Sequence, residues 1–278
     1  MASFLEEKTL IGKQAKPYMA LLYGQGGVGK STIAAQAESP FFLDLEGGAF
    51  HLDVPKSADL ISDPNMLLQY MNALLNEVHE YKTIVIDSLS TLETIMTQSV
   101  FAKHSLSHGG RAKSIEDYGY GKGYIYLVSA WQGFMGMVKK MNNKGLNVIL
   151  IGHRKIGVFE TPNGSQYKYY TVNLFDSDKN SVLRLVTEQC DLVAFIAFDN
   201  RLVDSESQGI IPNAPTRRFV PKKKSLAPRL SMNRMIYTEG TLQYYAKSRY
   251  DLAEYYTINE WEWSLLSIQN QKETEVNE

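Results

Sequence analysis

Only one of the 278 residues, Cys190, is a cysteine, so no disulfide can form within the chain and a reducing compartment is expected. No apolar run approaches the roughly 18 residues that a membrane-spanning helix needs, and no membrane partner is expected. The opening MASFLEEKTL has no apolar stretch leading to a small-residue cleavage site, so it does not read as a secretory leader. These absences lead to the expectation of a cytoplasmic protein. Charge of one sign is lacking too: 29 Lys and Arg stand against 30 Asp and Glu, so no global field draws the molecule to a polyanion. Any such site must be local. One stretch, from Pro212 to Arg234, has seven basic residues and no acidic one, and it reads equally as a solvated loop.

With 44% hydrophobic and 21% charged residues, the composition is that of a globular chain long enough for one large α/β domain. Met19 to Tyr23 reads as a strand before a Gly-rich turn, and Ser31 to Ala37 as the start of a helix. Further strands are expected at Phe41–Leu45, Thr83–Ile86, Asn147–Ile151 and Asp191–Phe198. Helices are expected from Asp63 and Pro64 through Val78, over Thr91–Phe101, and through Ile125, Val128, Trp131, Met135 and Val138. Ser105 to Gly123, with five glycines, reads as a mobile loop, and residues 152 to about 180 as a second long loop region with weak strand character at Tyr167–Val172. Asn233–Tyr237 and Leu242–Lys247 read as short strands. Asn259 with Glu262 forms a capping box for a last helix ending near Gln269, before a disordered tail. Alternating buried strands and helices predict an α/β fold: a mostly parallel central sheet flanked by helices, with short antiparallel strands late in the chain. Ligands of such sheets sit at the carboxyl ends of the strands.

There the chemistry is concentrated. Gly24-Gln25-Gly26-Gly27-Val28-Gly29-Lys30-Ser31 satisfies G-x-x-x-x-G-K-[ST], the Walker A pattern, and Thr32 follows it. Main-chain N–H groups of such a loop point around a phosphate, Lys30 neutralises its oxygens, and the Ser31 hydroxyl can ligate Mg²⁺. The loop therefore predicts a nucleotide, ATP, with Mg²⁺. The strand ending in Asp87 supplies a Walker B carboxylate for the metal, although Asp87 could also cap the following helix. Glu46, just past another strand end, is placed to orient or deprotonate water, or else is a surface turn residue. Asp44 is expected on the other side of that strand.

In this order the pieces resemble a RecA-type recombinase core over roughly residues 17 to 256, and more narrowly the short RecA-like proteins of bacteriophages linked to single-strand annealing. The resemblance implies a RecA-like P-loop ATPase domain over residues 17–257, an N-terminal extension at 1–16, a helix at 258–270 and a tail at 271–278. A phage-encoded chain would work in the host cytoplasm. By the same resemblance Glu46 is the general base and His153 the residue that senses the γ-phosphate, where RecA has glutamine. Lys247 and Arg249 resemble the paired cations that reach a neighbour's nucleotide, which implies a homo-oligomer with its active site at the subunit interface. The two long loops are implied to face single-stranded DNA with Arg111, Lys113 and Lys122 in the first and Arg154, Lys155, Lys168 and Lys179 in the second. Tyr118, Tyr120, Tyr167, Tyr169 and Tyr170 either stack on bases or pack the loops down. A separate carboxyl-terminal DNA-binding domain and a long amino-terminal helix, both part of the RecA pattern, are not found in this sequence.

ParA or MinD-like ATPases share GGVGKST, but their signature lysine would stand at Gln25, which cannot supply that charge. A GTPase lacks support because no N-K-x-D motif occurs. A small-molecule kinase would leave Lys247 and Arg249 unexplained. An AAA-type motor or helicase loader would want a helical lid with a sensor arginine, where the late segment reads as strand. A nucleotide-gated scaffold without turnover is the remaining alternative.

Overall fold

The computed structural model describes residues 4–9, 11–12, 14, 16–107, 109–161, 163–199 and 233–268. Of the basic stretch from Pro212 to Arg234, only Asn233 and Arg234 fall among them, and the tail lies outside. After a short helix α1 (Phe4–Lys8), strand β1 (Met19–Gly24) leads through the glycine loop into α2 (Lys30–Ala34). There follow β2 (Pro40–Asp44), α3 (Pro64–Asn76), β3 (Thr83–Asp87), α4 (Leu89–Lys103), α5 (Lys122–Asn143) and β4 (Asn147–Glu160). The chain continues through β5 (Gln166–Val172), α6 (Val182–Gln189), β6 (Leu192–Phe198), β7 (Arg234–Tyr237), β8 (Lys247–Ser248), β9 (Tyr255–Thr257) and α7 (Leu265–Ile268).

These strands form one sheet in the order β2-β3-β4-β1-β6-β7-β9, with β5 added to β4 and β8 to β6. The first five are mutually parallel; β5, β7, β8 and β9 pair antiparallel. The fold is therefore the RecA-like α/β P-loop fold that the sequence predicts, with β4 inserted between the strand that carries the glycine loop and the strand that ends in Asp87. Both faces of the parallel strands are buried, which is why they read as continuous apolar runs such as Thr83–Ile86 and Asn147–Ile151. Alternation sorts them. Leu21, Tyr23, Ile84, Ile86, Val148, Leu150, Val193 and Phe195 pack on α3, α4, α5 and α6, whereas Ala20, Leu22, Val85, Ile149, Ile151, Ala194 and Ile196 pack on α2 and the two late tryptophans. The fully buried Trp131 anchors α5 in the first layer; replacing it by alanine should cost about 3–5 kcal/mol.

Several elements depart from the sequence reading. The second long loop region is instead a hairpin: the strand character expected at Tyr167–Val172 is β5, while β4 runs on past Ile151 to Glu160 and pairs with it from Arg154 opposite Val172 to Glu160 opposite Gln166. Its period-2 pattern is hidden because both hairpin faces carry charged and aromatic side chains. The glycine-rich stretch from Ser105 to Gly123 holds a bridge between Ser105 and Arg111 and a 3₁₀ turn at Ile115–Tyr118. Tyr118 packs this loop down, its hydroxyl donating to the carbonyls of Val100 and His104, while Tyr120 is fully exposed. The helix opened by the Asp63 cap stops at Asn76, leaving Val78 exposed. Helix α6 and strand β9 were not expected, and in Leu242–Lys247 only Lys247 enters a strand. Among the described residues the last helix begins only at Leu265 and runs to Ile268, its expected end near Gln269 lying outside them, and Glu262 accepts from Ser264 instead of closing a box with Asn259. Trp261 and Trp263 both face the core, Trp263 stacking on Tyr18 and donating Nε1 to the Ile33 carbonyl, and the chain turns at Trp263–Ser264 into the short helix.

Candidate functional site

The carboxyl ends of β2, β3, β4 and β1 lie side by side, so the sheet register decides which side chains meet. Asp44 is level with Asp87, Asp87 with Ile151, and His153 with Gly24. Asp87 and His153 continue the alternation of Val85, Ile149 and Ile151, which places both on the face covered by α2. The chemistry of the site is thus gathered by strand parity as well as by strand order.

The glycine loop turns through left-handed backbone at Gly27 and Gly29, with φ of 75° and 95°. A Cβ at Gly29 would also lie 2.6 Å from Arg234 Nη1, so the end of that side chain would have to move. Lys30, at the start of α2, is buried and folds back over the loop, donating from Nζ to the Gln25 carbonyl at 2.9 Å. Burial lowers its pKa, and the nearby Asp87 and Glu46 charges oppose that shift. Ser31 Oγ donates to Asp87 Oδ2 at 2.5 Å. Burial pushes the Asp87 carboxyl up to about 6, against the Ser31 hydrogen bond, and repulsion from Glu46 and Asp44 adds to it. The Asp87–Ser88 peptide is cis.

A hydroxyl and a buried carboxylate side by side at the foot of a phosphate loop are two hard oxygen donors, and the energetic cost of holding Asp87 ionised there is relieved by a divalent cation. Ser31 and Asp87 therefore fit Mg²⁺. Among the described residues no group of three or more His, Cys, Asp or Glu side chains could hold a metal on its own.

Glu46 faces this pair and is held from three directions. His153 Nε2 lies 3.0 Å from each carboxylate oxygen, Thr91 Oγ1 donates at 2.7 Å, and Ser88 Oγ donates as well. Burial alone would raise the Glu46 pKa; the His153, Ser88 and Thr91 hydrogen bonds and the His153 charge outweigh it and hold the carboxyl at about 2. Asp44 is on the same face, contrary to expectation, because positions two apart on a strand share a face. Fully buried, it accepts from the main-chain N–H groups of Glu46, Gly47 and Ala49 and so shapes the turn that presents Glu46. Asp44, Ser88 and Thr91 were missed as contributors. For Asp44 the signal was available in the D-x-E spacing.

Lys247 and Arg249 lie elsewhere in their own chain. Strand β8 pairs with the first residues of β6, at the opposite end of the sheet from the loop. Lys247 Nζ donates to the Glu188 carbonyl at 3.3 Å, and Arg249 donates to the buried Asp191 at 3.0 Å and to Glu188 O at 3.1 Å. Asp191 also takes Lys16 Nζ and the Met19 N–H. Arg111, Lys113, Lys122 and Lys168 are exposed, Lys122 as the first residue of α5 and Lys168 on the hairpin. Lys155 donates to the Leu174 carbonyl. Arg154 does not reach out along the hairpin: its Nη2 donates to Gln25 Oε1 in the glycine loop at 3.0 Å.

Residues 16–250 match the family model described as AAA domain. No curated protein matches the chain. Among solved structures it is similar to a KaiC-like protein from the hyperthermophilic archaeon Pyrococcus horikoshii OT3, at 12% identity, covering 87% of this chain and 85% of that one with a TM-score of 0.42.

Proposed function

Since this chain belongs to the AAA domain family, whose P-loop ATPase character agrees with its fold, we propose that it binds Mg-ATP in the Gly24–Thr32 loop and hydrolyses it in an assembly acting on single-stranded DNA. The observation that carries this reading is the convergence of Lys30, the Ser31–Asp87 pair and the Glu46–His153 pair on one loop mouth. The loop N–H groups and Lys30 bind the β- and γ-phosphates. Ser31 and Asp87 would hold a Mg²⁺, which would supply positive charge to those phosphates. Glu46 orients a water in line with the γ-phosphate and takes its proton. A carboxyl held at about 2 is a weak base, so His153 has to loosen its hold as Glu46 works, and His153 is the residue that can trade Glu46 for a phosphate oxygen.

Two features support action on single-stranded DNA, and a third supports an assembly. Strand β4 carries His153 and runs unbroken into the hairpin, so a ligand that grips the hairpin pulls on the residue that restrains Glu46. On the hairpin Tyr167 and Phe159 are exposed on one face and Lys168 on the other, so the ribbon offers aromatic rings and a cation to a strand, on separate faces. Lys247 and Arg249, remote from their own loop, can serve phosphates only in a second copy, which favours a homo-oligomer. A protein-assembly switch is the second reading, favoured by Ile156 and Val158 being more than half exposed on the hairpin. ATP turnover measured with and without single-stranded DNA across a salt series separates the two. Stimulation that weakens with salt is expected; turnover indifferent to DNA at every salt concentration would leave the assembly switch.

A further inference from the structure

Gln25 receives two cations. Lys30 bonds its main-chain carbonyl, and Arg154 bonds its side-chain oxygen. The first cation is the motif lysine; the second comes from β4 and belongs to no part of the Walker pattern. Arg154 directly follows His153, and because successive strand residues point to opposite faces, the two flank the loop mouth, His153 toward Glu46 and Arg154 toward Gln25.

The guanidinium is held in place. Its carbon lies 4.3 Å from the centre of the Tyr170 ring, and Tyr170 stacks in turn on Phe195. The Tyr170 carbonyl accepts from the Tyr23 hydroxyl at 3.1 Å and from the Tyr245 N–H at 2.9 Å, which ties the platform to β1, the strand that ends in the glycine loop. Yet among the described residues Arg154 has no carboxylate in ion-pair range, and a single one of its five N–H donors meets a neutral amide oxygen. A braced, half-buried cation without a counter-charge beside a phosphate loop is suited to an anion, and the planar fork of arginine matches phosphate oxygens two at a time.

We propose that Arg154 is a same-chain phosphate contact for the terminal phosphate of the bound triphosphate, recognising ATP over ADP. The inference rests on the nucleotide reading above and adds a residue to it. On this account Arg154 swings from Gln25 Oε1 onto the γ-phosphate while its ring contact with Tyr170 persists, so that the hairpin strand β5 feels which nucleotide is bound.

The test is the affinity of the wild type, Arg154→Gln and Arg154→Lys for a non-hydrolysable Mg-ATP analogue and for Mg-ADP, with thermal melting as a folding check. Arg154→Gln is expected to weaken the triphosphate analogue tenfold or more and to leave ADP within about twofold. Arg154→Lys, which returns the charge without the fork, is expected to recover part of the loss. A wild type that binds neither nucleotide removes the nucleotide reading itself. If the wild type binds both, the Arg154 role is overturned by equal losses for the two nucleotides, by no loss for either, or by a lysine variant no better than glutamine.

Discussion

His153 Nε2 sits 3.0 Å from both oxygens of Glu46, astride the carboxylate that we propose activates water. Together with Ser88 and Thr91 it keeps Glu46 ionised down to about pH 2. An ionised form favoured this strongly is a poor proton acceptor, so the pair describes a restrained base. His153→Ala should raise the Glu46 pKa and move the acid limb of the turnover profile upward, by about a unit, while His153→Gln, which keeps a donor, should stay nearer the wild type. An acid limb that does not move in the alanine variant contradicts the restraint.

The same depressed pKa has a stability consequence. Glu46 releases its proton more readily folded than unfolded, so its contribution is full above its ordinary value of 4.5 and is lost as pH falls from there toward 2. The melting-temperature difference between wild type and Glu46→Gln in the absence of nucleotide should therefore shrink across that window. A difference that stays constant from pH 5 to about 2.5 would contradict the hydrogen-bonded clamp.

Asp87 runs the other way. Its carboxyl, buried and pushed from 3.8 up to about 6, binds a proton more tightly folded than unfolded, so stability falls as pH rises between those values and stays reduced above them. Asp87→Asn should raise the melting temperature of the nucleotide-free protein at pH 7.5 by several degrees, with the gain fading below pH about 4, while weakening Mg-ATP binding strongly. Melting curves at the two pH values check the first claim, and titration with Mg-ATP the second. A variant less stable than wild type at pH 7.5 would contradict it.

Lys247 and Arg249 can be told apart. Arg249 satisfies the buried Asp191, so Arg249→Ala should cost roughly 1–3 kcal/mol of folding stability. Lys247 makes one long bond to a carbonyl, so Lys247→Ala should melt close to wild type and still lower turnover in the assembly by a factor of ten or more. Normal turnover in Lys247→Ala would remove it from the active site of a neighbour.

Much of this was legible in the sequence, for physical reasons. The parallel strands are buried on both faces, and an apolar run ending in a polar residue or a glycine turn marks both the strand and the end that faces the ligand; Thr83–Asp87 and Met19–Gly24 are such cases. The Asp63 cap was legible because its side chain does what its position requires, accepting from the N–H groups of Asn65 and Met66. The hairpin was not, because a ribbon with Lys155, Phe159 and Tyr169 on one side and Arg154, Ile156 and Lys168 on the other offers no apolar period. Nor was the place of Arg154, which depends on a side-chain contact across 129 residues. Ser88 and Thr91 became visible as partners of Glu46 only once β2 and β3 were set side by side.

The most direct test of the account is calorimetric titration of Glu46→Gln with Mg-ATP, followed by assay of the same sample for released phosphate. The account predicts uptake of one nucleotide per chain with phosphate release at least a hundredfold below wild type. No binding heat, or phosphate released at the wild-type rate, would contradict it.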